Sequence, residues 1–472
     1  MKTFSGSLLK HQQENVEKLL ALRNSADWSE CGTGKTVSIL YKLVQLINKG
    51  AVTRTLIVCP LSVITTWAIE IQKYTDLSYA RLVGSLSQKL QALSYDCDIY
   101  LISYDSLHGR DNTQGKLLSA LLSRSFDLLV CDEVSMLKHG GTNRTKALTF
   151  LADRIPYKHF MSGTPVTNSP MDVLSIYRAL DSGRTFGKNL WKAKHFWFKD
   201  IGGRFPEWVM RDDKKELFRD RFYSIAVRSR KAECLDLPEQ IMEPRYCYLS
   251  DEQRSVYRPI AKLLLKQLEV EGKSISVPNA LTRLGKLQQI TAGFVYTEDG
   301  AHKFKDNPKL ALLDEQLDKF PNEHILIYTR WKTEQEILHE HLQSSGRELR
   351  FMDGESSLPE REDIVRSFGV GTRPQILVAN LNVGKYSFTF TGSHTIFYFS
   401  LSFGLEEWIQ SQNRIHRIGQ HHQCIYSPLM MDDTVDIYVY DTIMQRLDIA
   451  KDLVDGSRLR EILRKEAEDE HV

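Results

Sequence analysis

SECGTGKT, residues 29–36, runs directly into VSILYKLVQLI (37–47), where apolar residues recur every three to four positions. That is a glycine-containing turn opening into an amphipathic helix. Glycines let backbone N–H groups close around a triphosphate, and the positive end of the following helix points at its charge. In this arrangement Gly32, Thr33 and Gly34 form the cradle, Lys35 reaches the outer phosphates, and the Thr36 hydroxyl holds Mg²⁺. The general pattern asks for glycine at position 29, where this chain has Ser29, and the preceding NSADWS is a poor strand by composition. A ligand-free glycine turn is the plain alternative.

Outward from this turn, short apolar runs alternate with helical patterns. The first half contains TLIVCP (55–60), DIYLISY (98–104), FDLLVCDE (126–133) and HFMSGTP (159–165). The second half contains EHILIYT (323–329), PQILVAN (374–380), HTIFYFS (394–400) and QCIYSPL (423–429). Such runs read as strands covered on both faces, and strand–helix alternation predicts parallel sheets. The expected fold is α/β with two parallel-sheet lobes, 1–182 and 296–472, and a mostly helical, basic and aromatic extension of the first lobe over 183–295. Between positions 184 and 231 stand 14 Lys/Arg against 6 Asp/Glu, with Trp191, Trp197 and Trp208. SDEQRSVYRPIAKLLLKQLEVEG (250–272) reads as a helix capped by Ser250 and stopped at Gly272. The tail after Gly456 reads as a solvated charged helix.

A metal–triphosphate site also needs a carboxylate at a neighbouring strand end. FDLLVCDE supplies Asp132, to hold Mg²⁺, and Glu133, to orient or activate the attacking water, 97 residues beyond Lys35. The third element is QSQNRIHRIGQ (410–420). On a helix, Gln410, Arg414 and Arg417 share one face, and two guanidiniums there can neutralise charge on a transferring phosphoryl group. Alone, that segment would be an exposed basic face. It can serve the Lys35 site only if the two lobes close on one another, which implies a cycle of ATP-driven closure and release.

Composition narrows the class. The 472 residues carry 62 Lys+Arg and 60 Asp+Glu, so nucleic-acid contact must come from a local patch rather than a basic tail. The seven cysteines include no CxxC pair, which argues against zinc and against a disulfide framework. Apolar runs are too short to span a bilayer, and the first residues turn polar before any signal-type apolar stretch develops. The reading is a soluble protein of a bacterial or phage-infected cytoplasm, or of the nucleus if eukaryotic.

In order, these motifs resemble the superfamily 2 helicase-like ATPases, and within them the SNF-type, chromatin-remodeller-like branch. LKHQQENV (9–16) is similar to the branch's adenine-reading glutamine motif and carries that role to Gln12. SECGTGKT, LIVCPLSVITTW (56–67), VCDEVSMLK (130–138) and MSGTPVTNSP (161–170) are similar to its motifs I, Ia, DExx and III. Motif III is carried by Ser162, Gly163 and Thr164. IAVRSRKAECLDLPEQ (225–240) is similar to its basic stretch, and QSQNRIHRIGQ to its motif VI with the trailing RIGQ. The resemblance covers about residues 8–445. It implies tandem RecA-like lobes, ATP with Mg²⁺, and translocation along duplex DNA, with DNA-bound protein as a further partner. It places Gln410 in nucleotide binding, and Pro60, Tyr104, Thr329 and Arg330 at strand ends that touch the DNA backbone.

Three features depart from the family pattern. Ser135 replaces the histidine of DEAH. VGKYSFTF (383–390) keeps only Gly384 of the glycine-rich motif V, and SFG (402–404) replaces WNP. These bear on coupling rather than on hydrolysis. Two other readings stay open: a strand-separating helicase, and a non-hydrolysing DNA-binding scaffold.

Overall fold

Each of the eight apolar runs overlaps a strand of a parallel sheet. The computed structural model describes residues 1–107, 112–138, 140–166, 169–202, 208–269, 277–371, 373–381 and 388–455. Two compact units are formed, one by Met1–Asp236 together with the chain from Arg446 on, the other by Leu237–Gln445, so the second lobe stops short of the expected 296–472. The first holds β1 (Asn24–Asp27), β2 (Thr55–Cys59), β3 (Tyr79–Leu82), β4 (Ile99–Ser103), β5 (Leu128–Asp132) and β6 (Tyr157–Met161). It continues with the ribbon β7 (Phe198–Asp200) and β8 (Trp208–Met210), then β9 (Ala226–Val227). Its sheet runs β3-β4-β2-β5-β6-β1-β9, parallel throughout.

Successive residues of a strand face opposite sides, so a strand covered on both needs an unbroken apolar run. Leu56, Val58, Leu129 and Cys131 enter one core, while Ile57, Cys59, Leu128 and Val130 enter the other. The helix Lys35–Asn48 buries Ile39, Leu40, Leu43 and Val44 in the second core, together with Trp67 and Ile71 of the helix Ile64–Tyr74.

NSADWS, a poor strand by composition, contains β1, which lies between β6 and β9. Its polar side chains are paired rather than solvated. Ser25 accepts a hydrogen bond from the Lys42 amine at 2.8 Å and sits 2.9 Å from His159 Nδ1. Asp27 Oδ1 accepts from the Ser29 N–H at 2.9 Å. A buried polar strand of this kind has no apolar signature to read.

The second unit holds β10 (Gln240–Met242), β11 (Arg245–Cys247), the hairpin β12 (Phe294–Thr297) and β13 (Gly300–Lys303), and β14 (Ile325–Thr329). β15 (Glu348–Met352), β16 (Gln375–Asn380), β17 (Thr395–Tyr398) and β18 (Cys424–Met431) complete it. Its parallel sheet runs β10-β18-β17-β14-β16-β15, with β11 also along β18. Ile325, Ile327, Ile376, Val378 and Phe397 form its core with Leu313, Leu338 and Leu342. Two tandem parallel-sheet lobes are therefore the fold, as expected.

The expected single extension over 183–295 is divided between the units. Phe186, Trp197, Phe198, Met210, Phe218 and Phe222 belong to the first unit's core, so the chain to Asp236 folds with it. The helices Asp251–Glu269 and Val277–Thr291 belong to the second. Ser250 caps as expected, its hydroxyl accepting from the Gln253 N–H at 3.2 Å. Gly272 and the tail beyond residue 455 lie outside the described residues.

Lys42 is 2% exposed, and burial draws its pKa down to about 7 against the attraction of Asp27. The unfolded chain therefore binds a proton that the folded chain has released between pH 7 and the ordinary lysine value of 10.5. Stability gains with rising pH in that window, by at most about 1.4 kcal/mol per pH unit. Replacing Lys42 by Met should remove this gain, read as the change in urea unfolding midpoint between pH 7 and pH 9. The same pH dependence in both proteins would contradict it.

Candidate active site

The end of β1 becomes the turn at 29–34 because two glycines take left-handed backbone, Gly32 at φ +87° and Gly34 at φ +85°. Gly34 has no room for a side chain, since a Cβ there would stand 2.1 Å from Gln12 Nε2. Gln12, in the helix Lys10–Leu20, donates to the Thr33 carbonyl at 3.1 Å and accepts from the Leu9 N–H at 2.8 Å. It therefore grips the turn itself. The Lys35 amine folds back over the turn, donating to the carbonyls of Ser29 at 2.7 Å and Glu30 at 3.0 Å. Thr36 follows in the first turn of the helix.

The turn is braced by a strand that the sequence reading left in the middle segment. Beyond β9, the Ser229 N–H donates to Ser29 Oγ at 2.9 Å, and the Glu30 N–H donates to the Ser229 carbonyl at 3.0 Å. The Ser29 hydroxyl, at the position where glycine was expected, is an acceptor in this brace. Arg228 donates to the Trp28 carbonyl at 2.7 Å, so the basic stretch at 225–240 begins as scaffold for the turn.

Asp132 ends β5 and accepts from the Trp67 indole N–H at 2.9 Å. Burial raises its carboxyl pKa, opposed by the Trp67 hydrogen bond and the Lys35 charge. Glu133 follows in left-handed backbone, φ +57° and ψ +61°, a conformation costly for a residue with a side chain. Ser162 Oγ donates to Glu133 Oε1 at 2.5 Å, and Ser135 Oγ donates to the same oxygen at 3.2 Å. Ser135, the departure from DEAH, thus serves the carboxylate as a second hydroxyl donor. Ser162 Oγ accepts in turn from the Thr164 N–H at 3.1 Å. Gly163 lies against the phosphate turn, since a Cβ there would fall 2.2 Å from Cys31 Sγ. Lys35, Asp132, Glu133 and Ser162 therefore form one connected site. Its donor set fits a magnesium–triphosphate: left-handed glycines, a helix start, an ammonium, a threonine hydroxyl and a half-buried carboxylate.

In the second unit the helix Leu405–Gln412 carries Gln410, whose amide donates to Glu406 at 3.2 Å. The expected shared helix face is not formed, because Arg414 and Arg417 lie in the turns after the helix ends. Each guanidinium reaches one of two consecutive residues. Arg414 donates to the Phe388 carbonyl at 3.3 Å, and Arg417 to Thr389 Oγ1 at 2.5 Å. Gln420 fastens the loop by donating to the Ser393 carbonyl at 2.9 Å.

Of the residues expected to touch DNA, Pro60 is half-buried at the end of β2, while Tyr104 is fully buried in the core and unable to do so. Thr329 is fully buried with its hydroxyl toward the Ala379 carbonyl, and Arg330 is bound to Gln288 Oε1. Gly384 lies outside the described residues. Trp67 and Ser229 are site residues that the sequence alone does not single out, and Ser135 stands out there only as a departure from DEAH. Trp67 ends the quoted motif Ia, which was its only signal.

A parallel sheet in which one strand ends in a glycine turn and helix start, with an acidic pair at the end of the next strand but one, is the arrangement of a P-loop nucleotide-binding fold. The chain belongs to the SNF2-related family: residues 11–292 match the SNF2-related domain and residues 308–419 the helicase conserved C-terminal domain. An uncharacterized ATP-dependent helicase of Mycoplasma genitalium is 21% identical over 466 residues, covering 94% of this chain and 42% of the relative. Protein p41 of Acyrthosiphon pisum secondary endosymbiont phage 1 is 23% identical, with 94% of this chain and 96% of p41 covered. The chain spans 25% and 48% of two larger eukaryotic relatives. It is also similar to the Sulfolobus solfataricus SWI2/SNF2 ATPase core in complex with dsDNA, at 22% identity and TM-score 0.46, with 96% and 94% of the two chains covered. Among the described residues no helix is long and apolar enough to cross a membrane.

Removing the Ser162 hydroxyl should leave Glu133 less well aimed. A charge-assisted hydrogen bond is worth about 1.5 kcal/mol or more, about tenfold in rate. Ser162→Ala should lower the ATPase kcat about tenfold with KM for ATP nearly unchanged, and Ser135→Ala should lower it less. Equal or absent effects in steady-state assays would show that the hydroxyls do not position the carboxylate.

Proposed function

We propose that the chain is an ATP-dependent translocase acting on double-stranded DNA, hydrolysing ATP at the P-loop of its first unit with Arg414 and Arg417 brought in by the second. The observation that carries the hydrolytic reading is Glu133, set in left-handed backbone beside Asp132 with its Oε1 held by two serine hydroxyls. An acidic pair merely ending a strand would need neither the unfavourable backbone nor the paired donors.

In this reading the turn N–H groups and Lys35 hold the β and γ phosphates. Thr36 and Asp132 would hold Mg²⁺, which when bound would neutralise charge on the phosphate oxygens. The Glu133 carboxylate, its Oε1 held by the serine hydroxyls, orients a water and accepts its proton at the other oxygen as the water oxygen attacks the γ phosphorus and the bond to the bridging oxygen breaks, releasing ADP. Arg414 and Arg417 stabilise the charge spread over the γ oxygens in the transition state. Because these groups belong to separate units, turnover requires closure, and release of ADP and phosphate permits reopening.

The DNA reading rests on the family and on a local surface. Trp191 is 68% exposed and lies 4.1 Å, centroid to centroid, from His195, while the Lys194 amine stands 3.8 Å over the Trp208 ring. The surplus of lysine and arginine over 184–231 suits phosphate contact.

ATPase rates with duplex DNA, single-stranded DNA and RNA, beside displacement of an annealed strand, test the proposal. Duplex should stimulate most, without displacement; displacement would make the protein a strand-separating helicase instead. Glu133→Gln should bind ATP but lose turnover, and Arg417→Ala should lower kcat by about 10³-fold with little change in nucleotide affinity. Undiminished turnover in Glu133→Gln would remove the assigned base.

A further inference from the structure

At the start of β1 and β6, the sheet edge opposite the P-loop, Arg23, Asn24, Asp153, Lys158, Asp181 and Arg184 line a cleft of about 290 Å³. β1 spans four residues, so at about 3.3 Å per residue the cleft and the phosphate turn are separated by roughly 10 Å of strand. The nucleotide chemistry described above uses none of these side chains.

Both carboxylates of the cleft are already committed. Asp153 accepts two parallel N–H bonds from Arg178, each 2.9 Å, and the Ser182 hydroxyl at 2.7 Å. Asp181 accepts the Arg184 N–H at 3.0 Å, the Thr185 N–H at 2.9 Å and the Thr185 hydroxyl at 2.5 Å. Lys158 is different. It is 6% exposed, yet its amine has only the Asn24 amide oxygen, at 3.4 Å, and among the described residues it has no carboxylate in ion-pair contact. Burial and the neighbouring Arg184 disfavour its charge, against attraction from Asp153 and Asp181. Arg23 lies over the Tyr157 ring at 5.8 Å, and Arg23 and Arg184 are exposed and, among the described residues, make no salt bridge.

A buried ammonium without a bound anion is costly to a fold, because desolvation is not repaid by pairing. Two exposed guanidiniums beside it add the planar donors that recognise phosphoryl oxygens. We propose that this cleft is a second anion site, binding a phosphoryl group with Lys158 at its floor and Arg23 and Arg184 at its rim. The phosphoryl group belongs either to a small free phosphoanion or to a nucleic-acid backbone, and the chemistry of recognition is the same. The volume is at the low end for ligand pockets, which suits one or two phosphoryl groups rather than a whole nucleotide.

Pyrophosphate is the probe, titrated calorimetrically into the full chain carrying Lys35→Ala, so that the P-loop lysine does not contribute. Binding should persist there and weaken at least tenfold on adding Lys158→Met or Arg184→Ala. Arg184 is exposed, so that variant decides the matter if Lys158→Met disturbs folding. No pyrophosphate binding in the Lys35→Ala chain, or binding unaffected by Arg184→Ala, overturns the proposal. Anisotropy of labelled duplex DNA separates the sources. Duplex affinity reduced by the same substitutions and competed by pyrophosphate assigns a backbone phosphate; pyrophosphate binding alone reduced assigns a free phosphoanion.

Discussion

Four residues, Asn-Ser-Ala-Asp, deliver the glycine turn from within a parallel sheet, and they do so with their polar groups internally paired. β1 lies between β6 and β9, so everything at its end is fixed from both sides. From β6 come Ser162 and Gly163, one holding Glu133 and the other pressed on Cys31. Along β9 comes Ser229, which exchanges hydrogen bonds with Ser29 and Glu30. The turn assigned to phosphate and the carboxylate assigned to water are thereby parts of one connected assembly.

That assembly explains how an altered DExx motif can remain competent. A histidine at position 135 would bring a ring; Ser135 brings a short hydroxyl, and it reaches the same carboxylate oxygen as Ser162. The substitution exchanges a longer reach for a local restraint on Glu133. Arg414 and Arg417 show a related economy. With no common helix face, they are drawn to adjacent residues, Phe388 and Thr389, at the end of the divergent VGKYSFTF stretch.

Both parallel sheets were legible from apolar runs, because most of their strands are covered on two sides by apolar side chains alone. β1 was not, since its burial is satisfied by hydrogen bonds among Ser25, Lys42 and His159 that no local pattern reveals. The phosphate turn and the acidic pair were legible from their spacing. The brace from Ser229 was not, because it joins residues 200 positions apart. The face expected of Gln410, Arg414 and Arg417 failed for a local reason, the end of the helix at Gln412. Tyr104 and Thr329 failed because a strand end can turn its side chain inward as readily as out. The boundary at Asp236 was hidden because the aromatic side chains before it complete a core begun more than a hundred residues earlier.

The hydrogen bond between Trp67 and Asp132 has an optical consequence. An indole whose N–H donates to a carboxylate senses the electric field of that carboxylate, and its excited-state dipole converts the field into emission colour. Whatever alters the charge at Asp132, a proton or a divalent cation, shifts the emission of this one ring. The protein thus carries an intrinsic fluorophore wired to the carboxylate proposed to hold the metal, reporting occupancy without any attached dye.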